Sequence, residues 1–337
     1  MRKPTVVTSI LLSVAVLAAC GSGDEDPTVD DGTDVGTATD GAGSAELTEL
    51  TVGVIPVVDV APLYLGVQEG IFEEHGLELN LQTSGQGAAA IVPGVVSGEF
   101  DIGFGNAAAL ITAHSQGFDL PVIAPGSSST GIDGEDYVGV FVSAESDIGE
   151  VADLAGRSVA VNTLNSFQDA GVREAVDMSG GDGSSVEFVE VPFPEMLAAL
   201  EEGHVDAIAQ NEPFLTMTQE AGAQLVSSYL VDIAPDTPFL VAPYFTSAEL
   251  RESDPATVEA FAAAVRESAA FATENQDAVR EVLGTYTEIS PEIAEAVILP
   301  QYLEEVAPAQ MEFLIAFTER QGLVEEPVEI ASLLPGE

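Results

Sequence analysis

The chain states one nine-residue sentence twice. GEFDIGFGN (98–106) and GHVDAIAQN (203–211) put glycine, aspartate and asparagine at the first, fourth and ninth positions of both copies. A repeat of this kind restricts the fold, because whatever precedes one copy should also precede the other.

It does. Residues 50–55 (LTVGVI) form a short β-rich run, helical spacing follows over 63–72, and 77–81 (LELNL) reads as a second strand. A helix through 91–96 ends at Ser97-Gly98, where glycine can adopt the left-handed conformation that closes a helix. The first copy then supplies a third strand. In the second half, 157–162 (RSVAVN) reads as strand, 168–178 as helix and 186–191 as strand. Pro194 opens a helix with Met196, Leu197 and Leu200 on one face, and Gly203 stops it. Two β-α-β-α-β units predict an α/β protein of two lobes, each a mostly parallel sheet flanked by helices, with a cleft between them.

Ligands of open α/β sheets bind beyond the carboxyl ends of the strands. Asn106 and Asn211 fall at those ends, whereas Asp101 and Asp206 begin the same strands and are expected to be structural. Two further β-like runs, 137–143 (YVGVFVS) and 239–246 (FLVAPYFT), would lie side by side as a two-strand hinge on which the lobes close. The chain beyond Ala248 reads as helical, with Asp254-Pro255 and Ser290-Pro291 each placing a cap before a first-turn proline. The expected division is lobe one over 47–140 and 245–337, and lobe two over 141–244.

The N-terminus belongs to neither lobe. Arg2 and Lys3 precede an apolar run over 6–19, which reads as an export signal. Leu17-Ala18-Ala19-Cys20 resembles a bacterial lipobox, in which Cys20 would carry the lipid; the alternative is a plain secretory signal with an incidental cysteine. Two acyl chains would anchor the protein stably, where one binds only marginally. As the only cysteine, Cys20 rules out an intramolecular disulfide and leaves no thiol for catalysis or metal binding in the folded part. Residues 21–46 carry eight acidic residues and no basic one, and read as a disordered tether. As a flexible coil it would span about 28 Å.

Fifty-seven acidic residues stand against eight basic ones. That balance excludes nucleic acid as a partner, since neutralising phosphates requires Lys and Arg. Self-repulsion on this scale points to a saline habitat, because the Debye length falls to about 3 Å at 1 M salt. The alternative is an ordinary acidic surface that keeps the protein soluble.

Four segments carry a family resemblance: APLYLGVQEGIFEEHGLELN (61–80), VVSGEFDIGFGNAAAL (95–110), DLAGRSVAV (153–161) and LAALEEGHVDAIAQNEPF (197–214). In this order they resemble the nitrate/sulfonate/taurine-type solute-binding proteins of ABC importers, over nearly all of 47–335. The resemblance implies a type II periplasmic-binding-protein fold, a small-molecule solute, an ABC permease with ATPase subunits as partners, and a monomer without cofactor or metal. The same superfamily contains an enzyme that makes the thiamine pyrimidine with a cysteine-rich motif. No cysteine follows Cys20 here, so that chemistry is not supported.

Residue by residue, the resemblance places the first contact loop at Val58-Asp59-Val60-Ala61, where Asp59 either touches the solute or caps a helix. Gly85-Gln86-Gly87 follows the second strand and Asn106-Ala107 the third. In lobe two, Asn165, Ser166 and Phe167 open a helix whose free amides would suit an anion. Phe167 would lay a flat face on the solute or join the core. Glu212 either accepts from an amine or simply begins a helix. Arg157 and Arg173 fall outside the cleft. Two solute classes stay open: an oxyanion held by helix amides and the hydroxyls of Ser127, Thr163 and Ser166, or a neutral or amine-bearing heterocycle held by Phe167, Glu212 and Tyr244. An enzyme is the weaker reading, since His75, His114 and His204 are scattered and no nucleophile motif appears. A surface protein without a small ligand is the third.

Overall fold

The computed structural model describes residues 47–83, 88–235, 237–324 and 326–334. The expected export signal, Cys20, the tether, Gln86 and Gly87 lie outside the described residues. Among the described residues no helix is long and apolar enough to cross a membrane.

Eleven strands are present among the described residues: β1 (Thr48–Val54), β2 (Leu77–Thr83), β3 (Ile102–Phe104), β4 (Val122–Ser128), β5 (Val138–Val142), β6 (Ser158–Val161), β7 (Glu187–Glu190), β8 (Ala207–Asn211), β9 (Gln224–Ser227), β10 (Leu240–Thr246) and β11 (Gln301–Tyr302). They form two sheets, ordered β2-β1-β3-β10-β4-β11 and β7-β6-β8-β5-β9. The repeat therefore governs five strands per lobe rather than three: 2-1-3-10-4 in one matches 7-6-8-5-9 in the other. Within each, the trio read from the sequence is parallel.

Both sheets are mixed, and the reason lies in the route of the chain. β5 enters the second lobe from the first and β10 returns from the second lobe to the first. Each comes in at the cleft, where the carboxyl ends of the parallel trio are, and so runs in the opposite direction. Val138 accordingly pairs with Asn211, the last residue of β8, and Tyr244 with Phe104, the last residue of β3.

This corrects the expected two-strand hinge. β5 and β10 do not pair with each other; β5 lies between β8 and β9, and β10 lies between β3 and β4. The crossing chains instead pass side by side just after β4 and just before β10. Ser129 N donates to Phe239 O at 2.9 Å, and Phe239 N donates to Ser129 Oγ at 2.8 Å. The sheets change over between Ser128 and Val138 and again between Ser227 and Leu240.

The core of each lobe lies between sheet and helices, and the central strands are covered on both faces: Val52, Val54, Val159, Ala160 and Val161 are inaccessible to solvent. The C-terminal helices complete the first lobe. Pro255–Glu274 packs on β4 and on the helix Ala61–Gln68. Its start is capped as the Asp-Pro pair predicts, with Asp254 Oδ1 accepting from Thr257 N at 3.2 Å; Ser290 Oγ likewise accepts from Ile293 N at 3.3 Å.

Candidate functional site

The repeated sentence has a mechanical meaning in both copies. Gly98 and Gly203 close their helices at φ 76° and 70°, where a side chain would be strained. The aspartates then tie the third strand to the first: Asp101 Oδ2 accepts from Thr51 N and Asp206 Oδ2 from Ser158 N, both at 2.8 Å. Their own amides return the bond, to Thr51 O at 2.9 Å and Ser158 O at 3.0 Å. These carboxylates staple strands far from the cleft. The register they hold delivers Asn106 and Asn211 to the carboxyl edge.

There the two lobes meet around a small cavity. Ile55, Val57, Asp59, Phe104, Asn106 and Ala242 contribute from the first lobe, and Asn162, Thr163, Phe167, Gln168, Phe193 and Asn211 from the second. The space open to the centres of water-sized molecules is about 30 Å³, room for about two waters. A wider groove of about 640 Å³ runs outside the first lobe, past Arg280 and Pro291. Its lining comes from the C-terminal helical region alone, whereas the cleft gathers polar groups from both sheets.

Asp59 dominates the first-lobe wall. It lies in the turn Val58–Val60 and is only 3% exposed. It caps no helix. Oδ1 instead accepts from Ser127 Oγ at 2.5 Å and from Tyr137 Oη at 2.9 Å, while Oδ2, also buried, has no partner among the described residues. Burial pushes this carboxyl above the usual carboxylate range, against the pull of those hydrogen bonds. Asn106 caps the helix Ala107–Ser115, its Oδ1 accepting from Ala109 N at 3.0 Å, which leaves Nδ2 for the cleft.

The second-lobe wall is self-satisfied. Gln168 joins the ends of two strands: Oε1 accepts from Asn162 N at 2.8 Å, and Nε2 donates to Ala209 O at 3.2 Å and Asn211 Oδ1 at 3.3 Å. Phe167 lines the cleft with its ring 6.1 Å from that of Phe239 in the second crossing. The helix start expected to attract an anion is already filled. Ser166 Oγ accepts from Gln168 N, and Asp169 accepts from Ser166 N at 2.7 Å and Asn165 N at 3.3 Å. That is a capping box made with the helix's own carboxylate.

Of the residues singled out from the sequence, Asp59, Asn106, Phe167 and Asn211 line the cleft, together with Thr163. Ala61 and Ala107 are buried in the first lobe, and Ser127 stands behind Asp59 as its donor. Tyr244 packs between Phe104 and Phe261, with ring centroids 5.1 and 5.6 Å away, and burial raises its hydroxyl above the ordinary tyrosine range. Asn165 is exposed with φ 54°, and Ser166 is committed to its cap. Asn162, Gln168 and Phe193 also line the cleft and are not singled out by the sequence patterns above. The strand-end rule, applied to β6 as strictly as to β3, points to Asn162.

Glu212 has a different place. Fully buried, it leaves the second lobe to meet the first: Oε1 accepts from Ile298 N at 2.9 Å and Thr216 Oγ1 at 2.7 Å, Oε2 accepts from Thr216 N at 3.0 Å, and its carbonyl accepts from Val58 N at 3.3 Å. Burial pushes its carboxyl up to about 7, although all three of these side-chain bonds favour ionisation. At the rim, Glu174 of the second lobe takes Arg320 Nη2 and Gln321 Nε2, both at 2.9 Å.

The family described as NMT1/THI5 like matches residues 57–279. A putative ABC transporter periplasmic binding protein of Brachyspira hyodysenteriae is 24% identical over 200 residues, 55% of each chain. The bicarbonate-binding protein CmpA of Synechococcus elongatus is 26% identical over 193 residues, 52% of this chain and 43% of its own. The chain thus spans about half the length of the curated relatives it matches. The alkanesulfonate-binding protein SsuA of Xanthomonas axonopodis pv. citri, solved bound to MOPS, superposes with a TM-score of 0.71 at 17% identity, over 86% of this chain and 99% of that one. The two-sheet architecture is therefore that of periplasmic binding proteins.

Proposed function

The chain belongs to the NMT1/THI5-like family, and from that membership we propose that it is the extracytoplasmic solute-binding component of an ABC importer, capturing a small nutrient between its lobes. One observation carries the reading: side chains from the carboxyl ends of both sheets converge on one cavity lined from both lobes. Two chain crossings join the lobes, and contacts such as those at Glu212 and Glu174 are ones that a hinge motion can make and break. The captured solute would pass to a membrane permease with its ATPase subunits. The chain works as a monomer, held at the outer face of the membrane by lipid on Cys20.

A thermal-melt screen in high salt against nitrate, bicarbonate, taurine, methanesulfonate and 4-aminopyrimidine tests the central claim. A ligand at 100 times its dissociation constant adds about 2.7 kcal/mol, and scattering should show a smaller radius of gyration. Failure of every compound to raise the melting temperature would sink the proposal. Cys20→Ser should release the protein into the medium; retention at the membrane would remove the anchor.

A further inference from the structure

The cleft is lined by a buried carboxyl group and by no arginine or lysine, a poor match for the anions that several relatives are named for. We propose that Asp59 selects the solute, so that the cleft takes a small molecule offering an N–H donor, neutral or cationic, such as an amine, amide or amidine, and turns oxyanions away. The inference rests on the reading of the cleft as a solute site.

The first support is the unpaired oxygen. A buried carboxylate oxygen without a partner is costly, and Oδ2 of Asp59, a residue that lines the cavity, is in that position. Ser127 and Tyr137 aim both of their donors at Oδ1, which fixes the carboxylate plane and leaves Oδ2 for an incoming donor. An N–H group of the solute satisfies it; an oxyanion brings two acceptors face to face.

The second support is the disposition of cations. Beyond position 3 the chain has six basic residues, all arginine, and the undescribed positions after 46 hold none. Arg157 is bound to Asp147, Arg320 to Glu174, and Arg173 lies over the Phe188 ring. Arg280 donates to the carbonyls of Ala294 and Val297, while Arg251 and Arg266 line outer grooves. None lines the cleft. The helix start that might have replaced them carries Asp169 instead.

The remaining polar groups complete the pattern. Asn106 and Asn211 have each accepted a bond at Oδ1, which leaves their Nδ2 groups as donors. A solute with a donor for Asp59 and a neighbouring acceptor for an asparagine matches them, as an amide, amidine or aminated ring nitrogen does. Phe167 and Phe193 supply flat apolar walls.

Calorimetric titration of the full-length protein decides the matter with two probe sets: acetamidine and 4-aminopyrimidine against nitrate, bicarbonate and methanesulfonate. At least one N–H probe should bind while the anions do not, and Asp59→Asn should weaken it more than tenfold with an unchanged circular dichroism spectrum. Should that variant fail to fold, the wild-type comparison still decides. Anion binding with both N–H probes silent overturns the assignment and leaves the solute-binding function standing. Silence from all five probes overturns both.

Discussion

The two lobes share a strand order and differ in how they finish their cleft walls. The second lobe spends its polar groups on itself, with Gln168 tying Asn162 to Asn211 and Asp169 filling the helix start. The first lobe leaves a carboxylate oxygen open. At the residue after the repeated asparagine the difference reverses. Ala107 begins a helix within its own lobe, whereas Glu212 reaches across to Ile298 of the other. The duplicated frame sets where groups can stand, and the residues grafted on it differ: the first lobe carries the unpartnered oxygen and the second makes the bond that crosses between lobes.

Four measurements can break or sharpen that comparison. The antiparallel pairs β10-β4 and β5-β9 each carry one glycine. A Cβ at Gly126 would stand 2.0 Å from the backbone oxygen of Ala242, whereas one at Gly139 would stand 2.7 Å from the mobile Cδ1 of Leu225. Gly126→Ala should therefore cost about 3 kcal/mol or more and Gly139→Ala about 1; equal costs in urea unfolding would remove the asymmetry.

Next is the latch. Glu212 holds its proton up to about 7 when folded, against an ordinary value of 4.5. The folded state therefore binds more protons in that window, and stability falls as pH rises from about 4.5 to 7, by about 3 kcal/mol. The other acidic groups contribute in the same range, so the diagnostic is the difference between wild type and Glu212→Gln. The variant's melting temperature should change less with pH. Parallel curves would deny Glu212 that role.

Replacing the stapling aspartates should have smaller effects. Asp101→Ala, at a part-buried bond, should cost about 2 kcal/mol, and Asp206→Ala, at an exposed one, about 1. The bonds from Ser158 hold the Asp206 carboxyl below its ordinary value, so its share is present at neutral pH and lost as the solution is acidified through that lowered value. A larger loss at Asp206 would reverse the ranking. Smallest is the rim: Arg320→Gln should cost at most about 0.5 kcal/mol, and less at 1 M salt. A salt-independent effect would mean that Glu174 is more than a rim contact.

Much of the frame is legible in the sequence, because a repeated glycine, aspartate and asparagine report local geometry that the chain must satisfy twice. The strand exchange is not. An apolar run such as LVAPYFT carries no record of its partner, and the direction in which the chain arrives decides its place. In the cleft, Asn106 and Phe167 are visible from their position after a strand and at a helix start. Asp59 is visible too, but its environment is not: Ser127 and Tyr137, which shape it, are distant in sequence. Ser166 misleads because a hydroxyl at a helix start suits a cap and a ligand equally, and Asp169, three residues on, is the clue that it is a cap.

The interposition of β10 also has a consequence in time. β3 and β4 have no bond to each other and wait for a strand that emerges only after the entire second lobe; the bond from Thr246 to Asp101 spans 145 residues. The second lobe, continuous from β5 to β9, can complete itself as it appears, while the first is left with two raw edges. A chain that emerges in this order leaves the edges of β3 and β4 unpaired longest.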